Sequence, residues 1–210
     1  DSTIEASRIE RLLLEAGGLP FLVNLLQKDT PPIARQLAFE LLAAVAIRDA
    51  APILEAGVVE RGLVLMELQA TPIDRTRTAE YVDDTGGVLD VFAAIARWEA
   101  GRRKLLGVDC VTLLLDYLKA NLGDSLGDSP VAGVPKEEIA ESAVLCLGLL
   151  AREPSARQKA LAKGVAPVVL AAQQGTSDGL RAQALWCCWQ LSESNELAIA
   201  LAETGLMRTV

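Results

Sequence analysis

Apolar positions recur along this chain at the three-and-four spacing of helices buried on one side, and short turn signals cut that spacing into pieces. The clearest piece is Glu15-Ala16-Gly17-Gly18-Leu19-Pro20-Phe21-Leu22-Val23-Asn24-Leu25-Leu26, read as a helix end, a sharp turn and a second helix with an apolar face. Variants return at Glu55-Ala56-Gly57-Val58-Val59, Leu106-Gly107-Val108, Lys163-Gly164-Val165-Ala166-Pro167-Val168-Val169 and Glu203-Thr204-Gly205-Leu206-Met207. Their glycines, Gly17, Gly57, Gly107, Gly164 and Gly205, stand 40, 50, 57 and 41 residues apart. Two intervals match the roughly 40-residue period of helical solenoids, and two are longer by an insertion. A glycine just past a helix end takes the left-handed conformation that a Cβ makes costly. Pro20 and Pro167 suit the first turn of the next helix, where a missing N–H leaves no bond unmade.

Taken in order, the pattern predicts helices over Ser7–Ala16, Leu19–Gln27 and Ile33–Arg48, the last begun at Thr30-Pro31-Pro32. A second unit follows as Ala51–Ala56, Val58–Gln69 and Gly87 or Val88 to Trp98, with an insertion at about 70–86. The third runs Gly101–Leu106, Cys110–Ala120 and Lys136 or Glu137 to about Arg152. Its loop at 121–135 repeats Leu-Gly-Asp-Ser and reads as a mobile surface loop or a ligand clamp. The fourth is Ser155–Lys163, Ala166–Gln174 and Leu180–Ser192, capped by Ser177 or Asp178. Glu196–Thr204 opens a fifth. Unit boundaries fall at about 1–48, 49–98, 99–152, 153–192 and 193–210, all in one domain. The inward stripes hold Leu22, Leu25, Leu37, Leu41, Val45, Leu63, Val91, Ile95, Leu114, Leu147, Leu150, Val168 and Leu191, with Ile33 and Leu42 on the same stripe as Leu37.

Composition narrows the choice. Of 210 residues, 51% are hydrophobic but only 4% aromatic, which favours helices packed on helices over a sandwich or barrel. A net charge of −8 removes the general basic face that nucleic acid or an anionic membrane needs. No apolar run is long enough for a membrane helix. The chain opens on Asp-Ser-Thr without a signal-like leader and stops inside a repeat, so it reads as a piece of a longer protein. Cys110, Cys146, Cys187 and Cys188 form no metal-binding pattern and read as small core side chains in a reducing compartment.

Catalysis finds little support. The chain has no histidine, the commonest general base and zinc ligand. It has neither a phosphate-cradling glycine loop nor Gly-x-Ser-x-Gly, and no motif calls for a cofactor.

A short helix, a second helix after Ala-Gly and a long Ala-rich third helix resemble an armadillo repeat. The junction at 15–26 carries that resemblance, with the third-helix ends Ala43-Ala44-Val45-Ala46, Ala93-Ala94-Ile95-Ala96, Gly148-Leu149-Leu150-Ala151 and Trp189-Gln190-Leu191-Ser192. It implies an all-α, right-handed superhelix of about four three-helix units with incomplete terminal repeats, and a non-enzymatic scaffold or adaptor that binds a partner protein along its concave face. In the family's peptide binders an Asn near the third-helix end holds the peptide backbone and a Trp four residues earlier shapes pockets. Here those slots hold Ala44, Ala94, Leu149 and Gln190, and Glu40, Asp90, Leu145 and Trp186. Only Trp186 with Gln190 approximates the pair, so an extended basic import signal would find few anchors. The two columns run from acidic to apolar, which fits a helical or extended partner segment carrying basic and apolar residues. Trp186 reads either as a groove anchor or as a side chain packed on the next repeat. Glu40, Asp90 and Glu141 read as an acidic strip or a solvated face. Two further classes stay open: a structural subunit of a cytoskeletal or axonemal assembly, and a transport or chaperone-like receptor. The expected location is the cytoplasm, with a cytoskeletal or ciliary setting open.

Overall fold

The computed structural model describes residues 16–27, 29–70, 84–122 and 136–205. The first expected helix, Ser7–Ala16, lies outside that range except for Ala16; so do most of both insertions and the Leu206-Met207 end of the last junction. Every described regular element is a helix. In order they are α1 Gly18–Leu25, α2 Pro32–Arg48, α3 Ala51–Glu55, α4 Val58–Ala70, α5 Thr85–Ala96, α6 Glu99–Gly107, α7 Cys110–Leu122, α8 Lys136–Leu150, α9 Pro154–Ala162, α10 Val165–Gln173, α11 Asp178–Leu191 and α12 Asn195–Glu203. Two compact units divide the chain, Asp1–Gly101 and Arg102–Val210.

Local chemistry sets the helix ends. Pro32 opens α2 and Pro154 opens α9 in the first turn. Ser177 caps α11, its Oγ accepting from the Leu180 N–H at 3.3 Å. Gly17, Gly57, Gly164 and Gly205 all sit at positive φ, between 67° and 82°. The third unit departs from the expected pattern. Gly107 is the last residue of α6, and the left-handed slot belongs to Asp109, at φ 59°. Aspartate tolerates this conformation because its short side chain can bond locally. Here its Oδ1 pairs with Lys159 at 2.5 Å and lies 3.4 Å from the Thr112 N–H.

Gly164 and Gly107 can be compared directly. At both Gly164 and Gly107 an added Cβ meets no other atom within 4 Å, so only backbone conformation separates them. Gly164→Ala is expected to cost about 1–2 kcal/mol. Gly107→Ala should be neutral or gain up to about 1 kcal/mol from helix propensity. Paired urea titrations followed by circular dichroism check the difference.

In unit 1 the long helices α2 and α5 pack together, with α1 and α3 on α2 and α4 on α5. The Trp98 Nε1–H donates to the Ala46 carbonyl at 2.7 Å, tying the end of α2 to the turn after α5. In unit 2, α8 packs on α11, and α7 and α10 lie against them. A polar link recurs here between the first helix of a layer and the turn after its third: Arg102 pairs with Glu153 at 2.7 Å, and Arg157 with Glu193 at 3.0 Å.

Of the expected inward stripe, Leu22, Val45, Val91, Ile95, Leu114, Leu147, Leu150, Val168 and Leu191 are buried, while Leu25, Leu41 and Leu63 are partly covered. Leu37 and Ile33 are not inward: they are 52% and 65% exposed. Leu42 and Val45 of the expected α2 stripe are buried, but Ala38, Phe39 and Ala46 complete the buried face in place of Ile33 and Leu37. This helix is apolar on more than one side, and only its neighbours decide which side is covered. All four cysteines are buried and free. Burial pushes the Cys188 thiol up to about 11.

Candidate partner-binding face

Two columns of side chains were expected along the third helices, α2, α5, α8 and α11. In unit 1, Glu40 and Asp90 are exposed on the adjacent helices α2 and α5. The Gln36 side-chain amide donates to Glu40 Oε1 at 3.2 Å, one turn earlier on the same helix. Four residues on, Ala44 is half-buried and Ala94 is buried. In unit 2, Leu145 on α8 and Trp186 on α11 are half-buried, while Leu149 and Gln190 are buried. The first column is therefore reachable from solvent, and the second is sunk or partly sunk. An acidic pair marks unit 1 and an apolar pair marks unit 2.

Trp186 is held by a specific fit. A Cβ added at Gly148 on α8 would come within 2.5 Å of Trp186 Cζ3, so the indole lies against the bare glycine backbone. The same α8–α11 approach puts Gly179 beside Glu141, whose Oε2 would lie 2.1 Å from an added Cβ. Unit 1 has a matching contact: a Cβ at Gly87 on α5 would meet Phe39 Cδ2 of α2 at 2.5 Å. In each case a bulky side chain on one long helix meets a glycine on the next. A glycine inside a helix, away from the junction turns, is the sequence sign of such a close approach.

Three features lay beyond the sequence reading. Trp189, three residues after Trp186, is the more exposed of the two at 63%. Asp84, read as part of an insertion, is buried and pairs with Arg35 of α2, whose Nε lies 2.9 Å from Oδ2 and 3.1 Å from Oδ1. An open apolar cleft of ≈ 320 Å³ also lies beside Val165, Pro167, Leu197 and Ala200. It forms where Gly164 and Ala200 stand in the slots that Asp109 and Lys159 fill one layer earlier.

Among the described residues no helix is long and apolar enough to cross a membrane, and no three Cys, Asp or Glu side chains converge on a metal position.

Solved structures share this arrangement of helices. A designed armadillo repeat protein in complex with peptide (KR)4 superposes with a TM-score of 0.70 at 20% identity, covering 95% of this chain and 75% of its own. A second designed armadillo repeat protein gives 0.71 at 19% identity, covering 93% and 74%. The chain has an armadillo-like repeat fold. An engineered protein matches the same arrangement, with a TM-score of 0.68 at 16% identity over 88% of this chain and 68% of its own. At these identities the likeness is one of fold. No protein-family model matches the sequence, and no curated protein matches it. The armadillo-like chain is thus an all-α solenoid of helical repeats.

Proposed function

We propose that this armadillo-like chain is a non-enzymatic scaffold that holds a segment of a partner protein against its third helices. One observation carries the reading: the same slot on successive third helices is left reachable, at Glu40 and Asp90 in unit 1 and at Leu145 and Trp186 in unit 2. Glu40 and Asp90 would attract basic residues, and Leu145 with Trp186 would take an apolar side chain. The basic (KR)4 peptide carried by one structural neighbour supports a basic ligand for unit 1. Beneath these slots lie Ala44 and Ala94 in unit 1 and Leu149 and Gln190 in unit 2, no hydrogen-bonding ladder in either, which favours a helical partner that satisfies its own backbone. Four free, buried thiols fit a reducing compartment such as the cytoplasm.

The test uses a labelled helical peptide with Lys and Arg at one end and Leu side chains at the other, and fluorescence anisotropy over a salt series. Binding should weaken steeply with salt and fall about tenfold or more in Glu40→Lys/Asp90→Lys, since each lost charge contact is worth on the order of 1 kcal/mol. Equal binding by wild type and variant would remove the acidic pair as the recognition element. Membership of a larger assembly is the second reading, favoured by the apolar side chains left bare on α2 and α11.

A further inference from the structure

Two of the buried thiols meet in the core of unit 2. Cys110 is the first residue of α7 and Cys146 lies in the body of α8, and those helices pack on one another. Both residues are fully covered, and their thiols share a hydrogen bond. Cys187 and Cys188 are neighbours in sequence on α11, where successive side chains point about 100° apart, so these two do not face each other.

A single buried cysteine packs as a small apolar side chain, and its reactivity is what sets it apart. Two in contact, on different helices, bring a specific chemistry within reach. A disulfide needs sulfurs about 2.05 Å apart and Cα atoms roughly 4.4–6.8 Å apart. Packed helices have axes about 8–10 Å apart, with each Cα about 2.3 Å from its own axis, so facing residues reach that Cα spacing. The bond would join residues 36 apart in sequence and restrict the unfolded chain accordingly.

We propose that Cys110 and Cys146 form a reversible dithiol–disulfide couple that fastens α7 to α8 when the chain meets a peroxide. It does not depend on partner binding. In the first step one thiol loses its proton and its sulfur attacks a peroxide oxygen. The O–O bond breaks, a sulfenic acid forms, and the departing oxygen leaves as water with that proton. The sulfur of the second thiol then attacks the sulfenic sulfur; the S–S bond forms, the S–O bond breaks, and a second water leaves. The two sulfurs thus give up two electrons, which reduce one hydrogen peroxide to two waters. A small thiol such as glutathione reverses the bond by exchange and is itself oxidised to its disulfide. The bond to Cys110 and burial both push the Cys146 thiol well above its ordinary value. Oxidation therefore proceeds slowly, through local opening of α7 from α8, and the bridge then holds the two helices closed.

The couple is read by exposing the 210-residue chain to hydrogen peroxide in native buffer, then alkylating it in urea and mapping tryptic peptides by mass. Cys110 and Cys146 fall in separate peptides, 105–119 and 137–152, while Cys187 and Cys188 share a third, 182–208. The oxidised chain should carry one bridge, between the first two peptides, and alkylate only at Cys187 and Cys188. Dithiothreitol should restore all four thiols. The bridged chain should unfold at a higher urea concentration than the reduced one. Cys146→Ala should abolish that shift and Cys188→Ala should keep it; Cys110→Ala replaces Cys146→Ala if the latter does not fold. A chain oxidised in urea should instead scatter its bridges among all four cysteines, which separates native contact from chance. The proposal is overturned by a native chain that keeps all four thiols, or that carries sulfinic acid without a bridge. Pairing of Cys110 or Cys146 with a cysteine of α11 overturns it as well, and so does a bridged chain that unfolds at lower urea than the reduced one.

Discussion

Asp84→Ala is expected to destabilise unit 1 by roughly 3–5 kcal/mol, because it removes a buried carboxylate that pairs with the buried Arg35 guanidinium. The Arg35 and Asp84 side chains are each only 8% exposed, and the Arg35 Nη1 also donates to the Thr30 carbonyl. Attraction across the pair offsets the cost of taking both charges out of water only while both are present. Replacing both, as in Arg35→Met/Asp84→Leu, should therefore recover most of the loss, since buried pairs exchanged for apolar groups are often neutral. Urea unfolding of the two variants decides the point. If the double variant falls as far as the single, the pair contributes through its bonds to the backbone rather than through charge.

Phe92→Ala should cost about 3–5 kcal/mol. Phe92 is among the largest fully buried side chains, on α5, and its ring would lie 3.1 Å from a Cβ added at Gly62 on α4. Truncation leaves a cavity where α4 and α5 meet, and close-packed neighbours relax into it only in part. Repeat arrays couple chiefly to adjacent layers, so hydrogen-exchange protection should fall furthest in α2, α4 and α5 and least in α10 and α11. A uniform loss across all helices would mean that the chain opens as one cooperative body.

Much of the candidate face was legible in the sequence because it rests on spacing. Residues four apart share one side of a helix, so Glu40 with Ala44 and Trp186 with Gln190 could be paired before any packing was known. Their depth could not be read the same way. Ala94, Leu149 and Gln190 are buried because neighbouring helices close over them, and a glutamine carries no local sign that it will be covered. Trp186 and Trp189 differ by three residues on one helix; the glycine at 148, on another helix, gives Trp186 its seat.

What the sequence determined by itself was the division into helices, since caps, prolines and left-handed glycines act within a few residues of where they stand. Ser177, Pro32 and Gly164 hold the positions their local chemistry predicts. The tertiary structure alone decided which apolar side of each long helix is covered. A third helix in a stack meets a neighbour on two sides, so its pattern is apolar on both, and Phe39 is buried while Leu37 stays bare because α5 lies on one side. It also decided the fate of charges. Arg35 and Asp84 lie 49 residues apart, and nothing near either one names its partner. Helix ends are short-range events in the chain; covered faces and buried pairs are set by distant segments brought together.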